Sequence, residues 1–149
     1  MEKQVIYGSF LRHSHDIISD EKAFLDYLDY LNTDKKGTTY WTKKLWKKDS
    51  SNILGYGDFI IFVYDNYIYA KATIEKQESI DEKNDQKPSN PFKNEIFYLG
   101  RLEMYNKVSF DDLKKATGIV ISSFRDIKKL DPTKEIPAIL NYLNKNVTP

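Results

Sequence analysis

The chain has 149 residues, 40% hydrophobic and 30% charged, with a formal net charge of +1. That length and composition point to one globular domain with room for a core and exclude a disordered chain. The near-neutral balance excludes an argument for a polyanionic partner from global charge, and the lack of cysteine excludes disulfides, thiolate metal sites and a cysteine nucleophile.

The start, "MEKQVIYGSF", has no apolar stretch of the kind a signal peptide needs, and no apolar run approaches about 18 residues. A cytoplasmic protein without membrane partners is expected, possible as the N-terminal part of a longer one. Residues 4–10 have strand composition. Ser19 is placed to cap a helix over 20–31, with Asp20 and Glu21 in its first turn and Phe24, Tyr27, Leu28 and Leu31 at helical spacing.

Residues 40–48 fit either a short helix or an irregular segment. Gly55 and Gly57 frame a turn. Phe59–Tyr64 and Tyr67–Ile74 read as two strands joined by Asp65-Asn66, a hairpin signal. Residues 75–94 are polar, carry Pro88 and Pro91, and read as a long loop. Residues 95–104 form another strand. Ser109 caps a helix over 110–117, with Asp112 in a short capping box and Gly118 as the stop. Residues 118–124 have the composition of a short strand. The last helix begins near Lys134, because Pro137 is tolerated only in a first turn. Clustered strands with few helices predict an α+β fold with a curved or barrel-like sheet.

The segment from Lys35 to Lys48 carries six lysines (35, 36, 43, 44, 47 and 48) and no acid, with Tyr40, Trp41 and Trp46 interleaved. Lysines neutralise phosphates and flat aromatic faces stack on bases, so this composition points to nucleic acid. The competing reading makes both tryptophans core anchors and the lysines solvated. "HSHD", with His13, His15 and Asp16, lacks the further ligands that a structural metal site needs and reads as a polar loop. No nucleophile elbow and no phosphate loop is present. Neither catalysis nor a cofactor or metal is therefore expected.

Several stretches resemble the PUA-like superfamily, in its EVE, ASCH and YTH branches. "GDFIIFVYDNYIYAKATI", with Ala70 and Ala72 in its second strand, is similar to their central hairpin. "YNKVSFDDLKKATG" resembles the segment that follows it in EVE and YTH domains. "SSFRDIKKL", "IPAILNYL", "YGSF" and "YWT" are similar to further YTH stretches. The match runs in order over most of the chain.

The resemblance implies a curved or barrel-like sheet flanked by about three helices. It also implies an aromatic cage for a flipped, modified base: N6-methyladenine in YTH domains, modified cytosine in EVE-like ones. Prokaryotic versions form the DNA-recognition part of McrB-type modification-dependent restriction systems, beside a motor or nuclease domain. By position, Trp41 would be a cage wall with Tyr40 and Thr42 beside it. Phe10 would lie near the base and Arg125 would meet a phosphate, alongside Lys43, Lys44 and Lys47. The second tryptophan that YTH domains carry after the hairpin is missing here. Phe92 is the one aromatic in 75–94, so Tyr64, Tyr67 or Phe92 would complete the cage. A protein-interaction domain with its aromatics in the core, an RNA-binding module and a nucleotide-processing enzyme of ASCH type are the other readings.

Overall fold

The computed structural model describes residues 5–33, 38–41, 54–79, 95–122, 124 and 127–148, with backbone alone at 33, 38–41, 77–79 and 95–97. Its elements in chain order are β1 (Gly8–His13), α1 (Glu21–Thr33), β2 (Thr38–Trp41), β3 (Phe59–Tyr64), β4 (Tyr67–Ser79), β5 (Glu95–Leu99), β6 (Glu103–Ser109), α2 (Phe110–Thr117), β7 (Ile127–Lys129) and α3 (Ile136–Asn144). The described strands form one mixed sheet in the order β2-β5-β4-β3-β1-β7, with β6 also paired to β4. Among the described residues this is the α+β architecture, a mixed sheet with three helices, that the sequence predicts.

β3 sits at the centre, and all six of its residues are buried. A strand covered on both faces needs an unbroken apolar run, which "FIIFVY" supplies. Ile60, Phe62 and Tyr64 face a core shared with Phe24, Leu28 and Leu31 of α1. Phe59, Ile61 and Val63 face a second core with Leu113 of α2 and Ile136, Ile139 and Leu143 of α3. β1 runs parallel to β3 and splits in the same way, Leu11 into the first core and Phe10 into the second. Gly8 is required there: a Cβ at that position would run into the Phe59 ring.

β4 is long and changes partner along its length. Its first part pairs with β6, from Tyr67 opposite Ser109 to Lys71 opposite Glu103. Past an irregularity at Ile74/Lys76, its last part pairs with β5, ending with Ser79 opposite Glu95. Residues 75–79 are thus strand rather than loop: their polar side chains hide a backbone that is paired with β5. The rest of the expected loop, 80–94, lies outside the described residues.

The expected strand 95–104 is two strands. The Leu102 N–H leaves the ladder and donates to Asn32 Oδ1 of α1 at 2.8 Å, so the edge turns a corner at 100–102. Residues 118–122 form no strand; the edge strand beside β1 is β7, a few residues later. β1 begins at Gly8 rather than residue 4.

Helix starts follow their caps. Asp20 rather than Ser19 caps α1, with Oδ1 accepting from the Ala23 N–H at 2.8 Å. Ser109 caps α2 through Oγ and the Asp112 N–H at 3.0 Å, and Gly118 closes it at φ 79. Before α3, Asp131 Oδ1 accepts from the Lys134 N–H and from the hydroxyl and N–H of Thr133, which holds its carboxyl below the usual range. Pro137 lies in the first turn of α3. After α3 the chain pairs with β6, with the Thr148 N–H donating to the Met104 carbonyl at 2.9 Å. No helix among the described residues is long and apolar enough to cross a membrane.

Candidate functional site

The β3–β4 hairpin turns through Asp65 and Asn66, both left-handed at φ 53 and 62. Two such residues in succession make the turn whose twist matches the flanking strands, and short Asp and Asn side chains tolerate it. The Asn66 carbonyl accepts the Phe110 N–H at 3.2 Å, which ties the turn to the start of α2.

Between them opens a groove of about 660 Å³. Tyr67, Phe110 and Phe124 supply aromatic walls. Ile121 and Ser122 lie in the connection after α2, and Arg12 reaches in from β1. Asp65, Asn66, Ser109 and Asp111 complete the lining. The Arg12 guanidinium is aimed by a 3.1 Å bond from Nη1 to the Phe124 carbonyl.

Phe10 lies behind this wall. It is wholly buried, with its ring 5.7 Å from Phe110 and 6.2 Å from Phe124. It therefore supports the groove aromatics and cannot itself meet a base, which corrects the role implied for it. Tyr64 is corrected likewise. It is buried against Phe24 at 4.9 Å, and its hydroxyl donates to the Ile18 carbonyl at 2.8 Å.

Tyr67, one of the expected cage residues, does border the groove. Lys107 Nζ stands 4.6 Å from its ring centroid and 2.6 Å from Glu21 Oε2. The same Glu21 oxygen accepts the Tyr69 hydroxyl at 2.6 Å. The bond from Lys107, then that from Tyr69, holds the Glu21 carboxyl below its ordinary pKa, and the Glu21 carboxylate holds the Lys107 ammonium above its own. Burial first, and Glu21 second, push the Tyr69 phenol up.

His13 and His15 diverge. The His13 ring packs against Phe24 and Tyr27 at 5.1 and 5.2 Å, and burial pulls its pKa down to about 4 against a smaller upward pull from the Val63 backbone. The His15 ring turns toward the Tyr64 hydroxyl at 3.2 Å and Asp65 at 3.4 Å.

Tyr40 and Trp41 fall on β2, where Tyr40 pairs with Ile96 and Trp41 with Glu95. Thr42, Lys43, Lys44, Trp46, Lys47, Phe92 and Arg125 lie outside the described residues. Arg125 directly follows Phe124, a groove residue. Sequence reasoning missed Arg12, Phe110 and Phe124. They lie far apart in the chain and carry no shared motif; only the pairing of β1 with β3 and the docking of α2 on the hairpin unite them.

No described protein family and no curated protein matches the chain. Among solved structures it is similar to ASCH from Zymomonas mobilis, at 8% identity and a TM-score of 0.54, covering 90% of this chain and 94% of that one. A single-residue variant of the same protein gives a TM-score of 0.56 over 95% and 99%, also at 8% identity. A YTH domain from Zygosaccharomyces rouxii, in complex with N6-methyladenosine RNA, gives 0.41 at 12% identity over 91% and 86%. The likeness to ASCH is one of fold, over nearly the whole of both chains.

Proposed function

We propose that this chain is a nucleic-acid-binding module that receives one base in the groove at the hairpin end. The observation that carries the reading is the groove itself: about 660 Å³, walled by Tyr67, Phe110 and Phe124 and entered by Arg12. Small-ligand clefts run from about 300 to 1,000 Å³, so a base fits. Stacking on aromatics is worth about 1–3 kcal/mol per base. Two or three such faces offset the few kcal/mol needed to take a base out of a duplex.

Asp65 and Asp111 in the lining oppose a phosphate, so the backbone stays outside. Phosphate contacts fall to the lysines of 35–48, notably Lys43, Lys44 and Lys47, and to Arg125. Trp41, with Tyr40 and Thr42, stacks a neighbouring base, and Phe92 adds to the aromatic contacts. The base in the groove is a modified one, N6-methyladenine or a modified cytosine. The chain is the DNA-recognition part of a modification-dependent restriction system in the cytoplasm, with nuclease or motor activity in another domain and none of its own. The family resemblance of the hairpin and "YWT" stretches supports this finer reading.

The aromatic-core alternative explains Phe10, Phe24, Phe62 and Tyr64, all buried. It leaves Tyr67, Phe110 and Phe124 at an open groove. A binding screen of modified and unmodified DNA and RNA at stated salt tests the proposal. Preference for modified DNA is expected. Equal binding of all, or of none, would defeat it, and tighter binding of modified RNA would reassign the partner.

A further inference from the structure

We infer that Lys107 is a positioning residue for Tyr67, held in place by a bulge in β6. This rests on the reading of the groove as a base site. Ile68 pairs with Val108 and Ala70 with Met104, so Tyr69 alone on β4 stands against Tyr105, Asn106 and Lys107 on β6. Extra residues on one strand re-aim side chains, and such bulges gather beside functional sites.

Within the bulge Lys107 has φ 28, a left-handed backbone that a residue with a long side chain adopts only under constraint. The constraint is visible on both sides. The Asn106 N–H donates to the Asn146 carbonyl at 2.8 Å, which anchors the bulge to the tail after α3. The Lys107 ammonium is gripped by Glu21 of α1 at 2.6 Å.

The result is an ammonium 4.6 Å from the centre of the Tyr67 ring. A cation over an aromatic face is held there by the ring's quadrupole. It also occupies that face, so a stacked base must take the other. Lys107 is not part of the groove lining, while Tyr67 is. Glu21 keeps the Tyr69 hydroxyl as a second partner, so the carboxylate does not depend on Lys107 alone. Strain kept where a glycine would relieve it is the mark of a position held for function.

Three variants and one probe test this. The probe is a fluorescent DNA oligonucleotide with one N6-methyladenine or 5-methylcytosine, measured beside its unmodified twin by anisotropy. Lys107→Met removes the charge and keeps the stem; it should weaken modified-base binding about tenfold. Lys107→Arg should stay near wild type. Lys107→Gly relieves the backbone and should melt no earlier than wild type while losing the same tenfold. A phosphate-contacting lysine would lower the salt slope of log K by about one; here the slope should not change, because Glu21 already holds the ammonium. In a Tyr67→Ala background, Lys107→Met should add nothing. Wild-type affinity in Lys107→Met, a reduced salt slope, or an added loss in Tyr67→Ala overturns the inference while the groove reading stands. If the wild-type protein binds neither probe nor their RNA counterparts, the groove reading fails and this inference falls with it.

Discussion

The register separates Trp41 from Tyr67: Trp41 pairs with Glu95, Glu95 pairs with Ser79 at the end of β4, and Tyr67 begins that strand. The length of β4 thus lies between Tyr67 and the strand end that pairs onward to Trp41. Two separate contacts are predicted, and their variants should behave differently. Tyr67→Ala is predicted to lower the ratio of modified to unmodified binding by roughly ten- to a hundredfold, the worth of one stacking wall. Trp41→Ala is predicted to weaken both sequences about equally. Paired titrations check this; a ratio lost in Trp41→Ala and kept in Tyr67→Ala would reverse the assignment.

Asp58 is a structural staple rather than a ligand-binding acid. It is buried, with Oδ1 accepting the Tyr7 N–H at 3.0 Å and Oδ2 the Gly55 N–H at 2.9 Å. Asp58→Ala strands two backbone donors at about 1–3 kcal/mol each. A fall in unfolding free energy of roughly 2–6 kcal/mol is expected in denaturant titrations. A loss below about 1 kcal/mol would mean that water replaces the carboxylate there.

His13 makes folding sensitive to acid. Its pKa falls from 6.5 unfolded to about 4 folded because the ring is buried. The unfolded chain therefore binds a proton that the folded chain refuses. The neutral ring costs nothing above pH 6.5, and stability drops as pH falls from 6.5 to about 4. At about 1.36 kcal/mol per unit, the loss is roughly 3 kcal/mol. His13→Phe cannot titrate, so the difference between its stability curve and that of wild type should widen across this window. Parallel curves from pH 6.5 to 4 would show that His13 is not the group responsible.

The parts of the fold written in local pattern were legible. The Asp65-Asn66 turn, the buried run of β3, the α1 stripe and the Ser109 and Gly118 caps depend on neighbours in the chain. The last residues of β4 were not legible, because "EKQES" has no apolar alternation and its strand state comes from pairing with β5. β7 was misplaced toward 118–124, where the apolar residues include the groove's Ile121 and Phe124. Of the groove lining, Tyr67 was within reach because the hairpin was. Arg12, Phe110 and Phe124 were not, since a groove between a turn and a helix start is a tertiary fact. Phe10 and Tyr64 misled for a simple reason: composition does not say which aromatics are buried.

The lysine segment is predicted to set a salt dependence. Each phosphate neutralised contributes about −0.7 to −0.9 to the slope of log K against log salt. Lys43→Ala, Lys44→Ala and Lys47→Ala should each reduce that slope by about one and leave the modified-to-unmodified ratio unchanged. Affinity that is flat between about 50 and 200 mM salt would remove the segment from the interface.

Whether a base enters the groove is tested most directly by amide chemical-shift mapping while the modified oligonucleotide is titrated into labelled protein. The largest perturbations are predicted at Arg12, Asn66, Tyr67, Phe110 and Phe124, and they should collapse in Tyr67→Ala. Saturable binding that leaves those five amides unmoved, with shifts confined to other faces of the sheet, would contradict the assignment of this groove as the base-binding site.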